Sequence, residues 1–179
     1  MTKLLYRLKD WLFRPGPPIY RAVELANPYR VVMTAGCVRA LATCLAPERE
    51  NRHEGITYLF GQTDGKTTLA VGAIRPEAKT TVGSFQVQSQ AMANFVRSVC
   101  DTGLKVIGQV HTHPGQAYHS DGDVEGARIA YSGYVSIVLP DYGRYLPNLT
   151  GAVIYMYQSD RKGFVELSLS DAIIVSEKL

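Results

Sequence analysis

The chain has 179 residues, 46% of them apolar and 20% charged, and carries a formal net charge of +3. That is the size and balance of one globular domain able to bury a real core. No Lys/Arg cluster forms a phosphate-binding stripe, which argues against nucleic acid as a partner, and no run of about 18 apolar residues offers a membrane span.

The first thirteen residues, MTKLLYRLKDWLF, place Leu4, Leu5, Leu8, Trp11 and Leu12 at helical spacing. Charges interrupt the apolar positions and no small-residue cleavage site follows, so this reads as a short amphipathic helix rather than a signal peptide. Pro15-Gly16-Pro17-Pro18 stops it and forms a linker, giving a division into residues 1–19 and a single domain over 20–179.

Within the domain, Tyr29–Met33 reads as a strand, and Thr34 caps a helix that runs to about Leu45, where Pro47 ends it. Ile56–Phe60 and Thr68–Ile74 form strands joined by Gln62-Thr63-Asp64-Gly65. Ser89 or Gln90 opens a helix to Cys100 with Met92, Phe95, Val96 and Val99 on one face, and Gly103 stops it. Val106–Val110 is a strand that leads into two histidines, and a helix follows from about Asp121 to Tyr131. Strands at Tyr134–Leu139, Ala152–Tyr157 and Phe164–Leu167 complete a mixed α/β domain, a sheet flanked by helices. The three cysteines, Cys37, Cys44 and Cys100, have no metal-like spacing; the first two read as small core residues, and the set fits a reducing cytoplasm better than a disulfide framework.

Chemistry concentrates in His111-Thr112-His113-Pro114 and Ser120-Asp121-Gly122-Asp123. Side chains two apart at a strand end point the same way, so both imidazoles can reach one ion. Pro114 turns the chain, and a carboxylate in the first turn of the next helix, Asp123 or its competitor Asp121, completes a zinc site with one position open to water. Such a water needs a base that is not itself a ligand. Glu54, just ahead of the strand at Ile56, reaches the same rim if that strand lies beside Val106–Val110; Glu48 and Glu50 are fallbacks in a charged run that reads as solvated surface. Ser120 either only caps the helix or also donates to an oxyanion at the metal. His53 and His119 read as polar loop residues beside the motif. There is no HExxH, no PCxxC and no GxSxG, which sets aside the helical zinc proteases, nucleobase deaminases and serine hydrolases.

The ordered set Glu54 … His111-x-His113-Pro114 … Ser120-x-x-Asp123 resembles the JAMM/MPN+ (JAB domain) zinc metallopeptidases, and the bacterial JAB subgroup associated with ubiquitin-like conjugation systems in particular. Gly61, seven residues after Glu54, and Ser136-Ile137-Val138-Leu139-Pro140-Asp141 extend the likeness, which covers roughly Tyr29 to Leu167. The resemblance implies a curved central sheet with helices on both sides and one Zn2+ per chain on His111, His113 and Asp123. It also implies Glu54 as general base and Ser120 as oxyanion donor. As substrate it implies the C-terminal tail of a ubiquitin-like protein, cleaved for precursor maturation or for release from target lysines, beside activating and conjugating enzymes and in some gene groups in defence against phage. A sulfur-carrier protein as substrate, or an inactive scaffold with this fold, are the alternatives. Six residues separate His113 from Ser120, one fewer than in the usual eukaryotic pattern.

Overall fold

The computed structural model describes residues 20–21, 29–126, 129–168 and 173–176. The helix and linker expected over residues 1–19 lie outside the described residues.

Runs of β-branched and aromatic residues build a nine-stranded mixed sheet. In chain order its strands are β1 (Tyr20–Arg21), β2 (Arg30–Thr34), β3 (Ile56–Thr63) and β4 (Thr67–Ile74). A separate hairpin, β5 (Ala78–Thr81) and β6 (Ser84–Val87), comes next. The sheet resumes with β7 (Lys105–Thr112), β8 (Val135–Leu139), β9 (Val153–Gln158), β10 (Gly163–Leu167) and β11 (Ile173–Ser176). The spatial order is β1-β10-β9-β8-β7-β3-β4-β2-β11. β7 is therefore interior, antiparallel to β3 and parallel to β8.

Each face of the sheet carries its own apolar cluster. Val31, Met33, Leu59, Ile107, Ile137 and Ile154 pack with Cys37, Val38 and Leu41 of helix α1 (Ala35–Cys44). Ile56, Tyr58, Val106, Val138 and Tyr155 pack with Met92, Phe95 and Val99 of α3 (Ser89–Cys100), and Phe85 and Val87 of the hairpin lean on this second cluster. Thr34 caps α1 by accepting a hydrogen bond from the Cys37 N–H at 2.9 Å.

Pro47 does not end structure at Leu45. It stands in the first turn of a second helix, α2 (Ala46–Asn51), where its missing N–H is no loss. Glu48 on that helix is buried and paired with Arg75, so the expected solvated run is in part a packed ion pair. The helix expected over 121–131 is shorter: α4 covers Asp121–Gly126, and residues 129–131 are not helical. The hairpin, α2 and the outer strands β1 and β11 were not foreseen from the sequence.

Candidate metal centre

Antiparallel pairing of β3 and β7 sets Ile56 opposite His111. The start of β3 and the end of β7 thus share one rim of the sheet. Gly55 and Thr112 lock that rim twice: the Thr112 N–H donates to the Gly55 carbonyl at 3.1 Å, and the Gly55 N–H donates to Thr112 Oγ1 at 2.8 Å. Glu54 is fixed one residue earlier by its N–H to the Thr81 carbonyl of β5, 2.8 Å. The hairpin missed in the sequence therefore holds Glu54 in place.

His111 and His113 project to the same side, as strand alternation requires. The His113 N–H donates to the Leu139 carbonyl at 2.9 Å, and its carbonyl accepts from Tyr142 at 2.8 Å. Tyr142 lies in a short 3-10 turn (Asp141–Gly143) in which Asp141 and Tyr142 hold φ of 50° and 56°, a conformation side chains adopt only when the surroundings enforce it. Leu139 and Tyr142, on either side of Pro140-Asp141, thus brace His113.

Asp123, in the first turn of α4, faces both rings: its Oδ1 is 3.1 Å from His111 Nε2 and its Oδ2 is 3.4 Å from His113 Nε2. One donor atom from each of the three residues falls within 4.8 Å of the others. Three ligands held tetrahedrally at zinc distances lie roughly 3.4 Å apart. His111 is 0% exposed, yet neither of its ring nitrogens has a hydrogen-bond partner among the described residues; Nε2 is near Asp123 but off the direction a hydrogen bond needs. A buried imidazole nitrogen without a hydrogen-bond partner, beside a carboxylate and a second imidazole, suits a cation. The donor set therefore fits a divalent metal that accepts nitrogen and oxygen ligands.

Ser120 and Asp123 form a reciprocal cap. Asp123 Oδ2 accepts the Ser120 N–H at 2.8 Å and its hydroxyl at 2.6 Å, while the Asp123 N–H donates to Ser120 Oγ at 3.2 Å. Burial pushes the Asp123 carboxyl up, but His111, His113 and Ser120 outweigh that and hold it well below the usual range, so it is an anion ready to ligate. Asp121 is exposed and stands outside this group.

Glu54 is 8% exposed, and burial raises its pKa, with Asp123 adding to the shift and His113 opposing it. It lines a cavity of about 450 Å³ together with His113, Ser120 and Asp123. Gly83–Val87 of the hairpin, Tyr58 and Gln109 line it as well. Tyr118, exposed at the mouth, sets its ring edge-on to His113 at 4.7 Å.

His119 is no polar loop residue. It is buried, stacked on Tyr155 at 4.3 Å, edge-on to Phe164, and bonded through Nε2 to Ser136 Oγ at 2.9 Å. Burial and the neighbouring His111 lower its pKa to about 4, so it is neutral at ordinary pH. It anchors the loop that returns Ser120 and Asp123 to the rim. His53 sits outside the cluster, 3.2 Å from Thr80 Oγ1. Sequence reasoning missed Tyr58, Phe85, Gln109 and Tyr118. Gln109 alone left a signal, as the one amide in an apolar strand, on the same alternation as the histidines.

No protein-family model matches the chain. A curated protein of Sinorhizobium fredii (strain NBRC 101917 / NGR234), named "Probable metalloprotease y4jG", is 28% identical over 118 residues, 64% of this chain and 73% of that one. The solution structure of DSY2949 from Desulfitobacterium hafniense shares the fold with a TM-score of 0.61 at 18% identity, over 83% of this chain and 94% of the other. AF2198, a JAB1/MPN domain protein from Archaeoglobus fulgidus, overlaps 81% of this chain and 98% of its own with a TM-score of 0.45 at 19% identity.

Proposed function

We propose that the chain is a zinc-dependent peptidase of the JAMM/MPN+ (JAB domain) type, acting on the C-terminal tail of a ubiquitin-like protein. The observation that carries this reading is the His111, His113 and Asp123 group, of which His113 and Asp123 line a cavity that a buried carboxylate, Glu54, also lines. The relative described as a metalloprotease supports the same class of chemistry.

His111 and His113 through Nε2, with Asp123, would hold the ion; zinc there supplies a Lewis acid that lowers the pKa of water toward ~7 and polarises an amide carbonyl. Glu54 takes the proton from the attacking water and hands it to the departing amine. Its raised pKa suits both halves of that task, because a base closer to the working pH also returns the proton readily. Ser120 Oγ gives its one proton to Asp123 in this structure, so its part as oxyanion donor requires that hydroxyl to turn toward the cavity.

The tail cannot add to the strand bearing the histidines, because β7 is paired on both sides. The hairpin offers an edge instead: β6 pairs with β5 alone among the described residues, and Ser84–Val87 line the cavity. An extended tail laid along β6 would bring its last carbonyl to the rim.

The test is zinc content together with cleavage of a bacterial ubiquitin-like protein carrying a short C-terminal extension. Wild type, Glu54→Gln and His113→Ala are compared with and without a chelator. About one zinc per chain in wild type and in Glu54→Gln, with cleavage by wild type alone, is the expected result. A folded wild type that takes up no metal and cleaves nothing would refute the reading.

A further inference from the structure

β7 carries one polar residue in its apolar stretch. Gln109 is 6% exposed and lies in register between Tyr58 of β3 and Ser136 of β8. It shares the face of His111, two residues further along the strand, which places it about 6.6 Å back from that ligand. Its amide is held at one end only. Gln109 Nε2 donates to Ser136 Oγ at 3.4 Å, and Ser136 Oγ meets His119 Nε2 at 2.9 Å. Ser136 Oγ thus accepts from the Gln109 amide nitrogen while resting against the His119 ring. With its nitrogen on Ser136, the amide turns its oxygen away from that hydroxyl. Gln109 Oε1 has no partner among the described residues. It is not among the buried polar atoms left without a partner, so it is open to solvent, and Gln109 is a cavity-lining residue.

We propose that Gln109 is a substrate-recognition residue whose Oε1 accepts a hydrogen bond from a backbone N–H of the bound peptide, about two residues from the scissile bond. The spacing follows from the strand rise, since two residues of an extended substrate cover the same distance as two residues of β7. The contact reads the main chain, so it selects an extended peptide over a folded or branched one and leaves side-chain preference to the hairpin wall. Ser136 and His119 act through Gln109 as positioning residues. This inference rests on the peptidase reading above.

The experiment pairs a protein change with a backbone change. A quenched-fluorescence peptide library gives the best-cleaved sequence, and each non-scissile N–H near the cleavage point is replaced in turn by an ester oxygen. For wild type, one of these replacements lowers kcat/KM about tenfold, the worth of one hydrogen bond. Gln109→Met is about tenfold slower on the all-amide peptide and indifferent to that same replacement, with wild-type zinc content and melting curve. Gln109→Glu, which keeps an acceptor toward the cavity, retains the sensitivity and stands in if the Met variant does not fold. Equal sensitivity to every replacement in wild type and Gln109→Met would overturn the role of Gln109 and leave the peptidase reading intact. A wild type that loads zinc yet cleaves no library member would overturn both.

Discussion

Replacing Glu54 by Gln keeps the shape of the side chain and removes its charge. The backbone bond from Glu54 N–H to the Thr81 carbonyl does not involve the side chain and survives the change. An acid whose pKa is raised on folding, as burial raises that of Glu54, binds its proton more tightly in the folded chain. Below its ordinary value of 4.5 both states are protonated, and the substitution has no electrostatic effect. As pH climbs through the raised folded value, the native protein must carry a charge in a site 8% exposed, and wild type loses stability that the Gln variant keeps. Each pKa unit of elevation corresponds to about 1.4 kcal/mol, or roughly 3–5 °C in Tm for a domain of this size. The assay is thermal unfolding of both proteins in chelator from pH 4 to pH 8, beside zinc content and turnover at pH 7.5. The variant is expected to melt with wild type at the acid end, to melt higher at the alkaline end, to bind zinc, and to lose about 10²–10⁴-fold in kcat. A Tm difference that stays flat with pH, or a variant less stable at pH 8, would show that burial does not set the chemistry of this carboxylate.

Chelation of the loaded protein should lower Tm by roughly 5–10 °C when zinc stands about a hundredfold above its Kd, and His113→Ala should melt the same with and without zinc. Ser120→Ala removes the cap on α4 and should cost about 1 kcal/mol in chemical denaturation, with kcat falling a further 10²–10³-fold if the hydroxyl also meets the oxyanion; a stability loss with kcat unchanged would leave Ser120 as a cap alone. Gly61→Ala places a Cβ 1.8 Å from the Leu69 carbonyl oxygen at the β3 bulge, and should destabilise by about 3 kcal/mol or prevent folding, read as soluble yield and urea midpoint.

The His111, His113 and Asp123 cluster was legible because its geometry is local. Two histidines at strand spacing and a carboxylate in the following helical turn need only the alternation of β7 and the start of α4. The position of Glu54 was legible one step further out, through the inference that β3 lies beside β7. The hairpin was not. Its strands are half exposed on alternate residues, with lysine, threonine and glutamine where a buried strand would show valine or isoleucine, so the period-2 signal is faint. α2 was hidden because a proline stops a helix from inside but starts one from its first turn. The helix after Asp121 was drawn too long for want of a clear stop in the sequence, where the chain is instead non-helical over 129–131 and turns at Gly133 with φ of 90°. Gln109, His119 and Tyr118 take their meaning from neighbours on β8, β9 and the returning loop, which no local pattern encodes.

Two buried carboxylates six residues apart, Glu48 and Glu54, show how the fold pairs one acid with a cation and sets the other on a cavity. Glu48 is answered by a cation, the Arg75 guanidinium, on the side of α2 that packs under the start of β3. Its Cβ and Cγ would lie 3.1 and 3.3 Å from a Cβ at Gly55, so Glu48 and Gly55 fit closely and fix where the chain turns into the site. Among the described residues Glu54 has no lysine or arginine partner; its charged neighbours are His113 and Asp123, and it lines the cavity. On the proposed mechanism the paired acid has nothing to give to the reaction, while Glu54 gains affinity for a proton where one is to be moved. Glu48→Gln keeps the alkyl contact with Gly55 and a hydrogen bond to Arg75, so it should leave kcat within about twofold of wild type and cost about 1 kcal/mol of stability. Run beside Glu54→Gln, it makes a matched pair: the same chemical change, six residues apart, weakening the fold in one case and abolishing turnover in the other. If Glu48→Gln abolished turnover with zinc content intact, Glu54 would lose its place as the sole base at this rim.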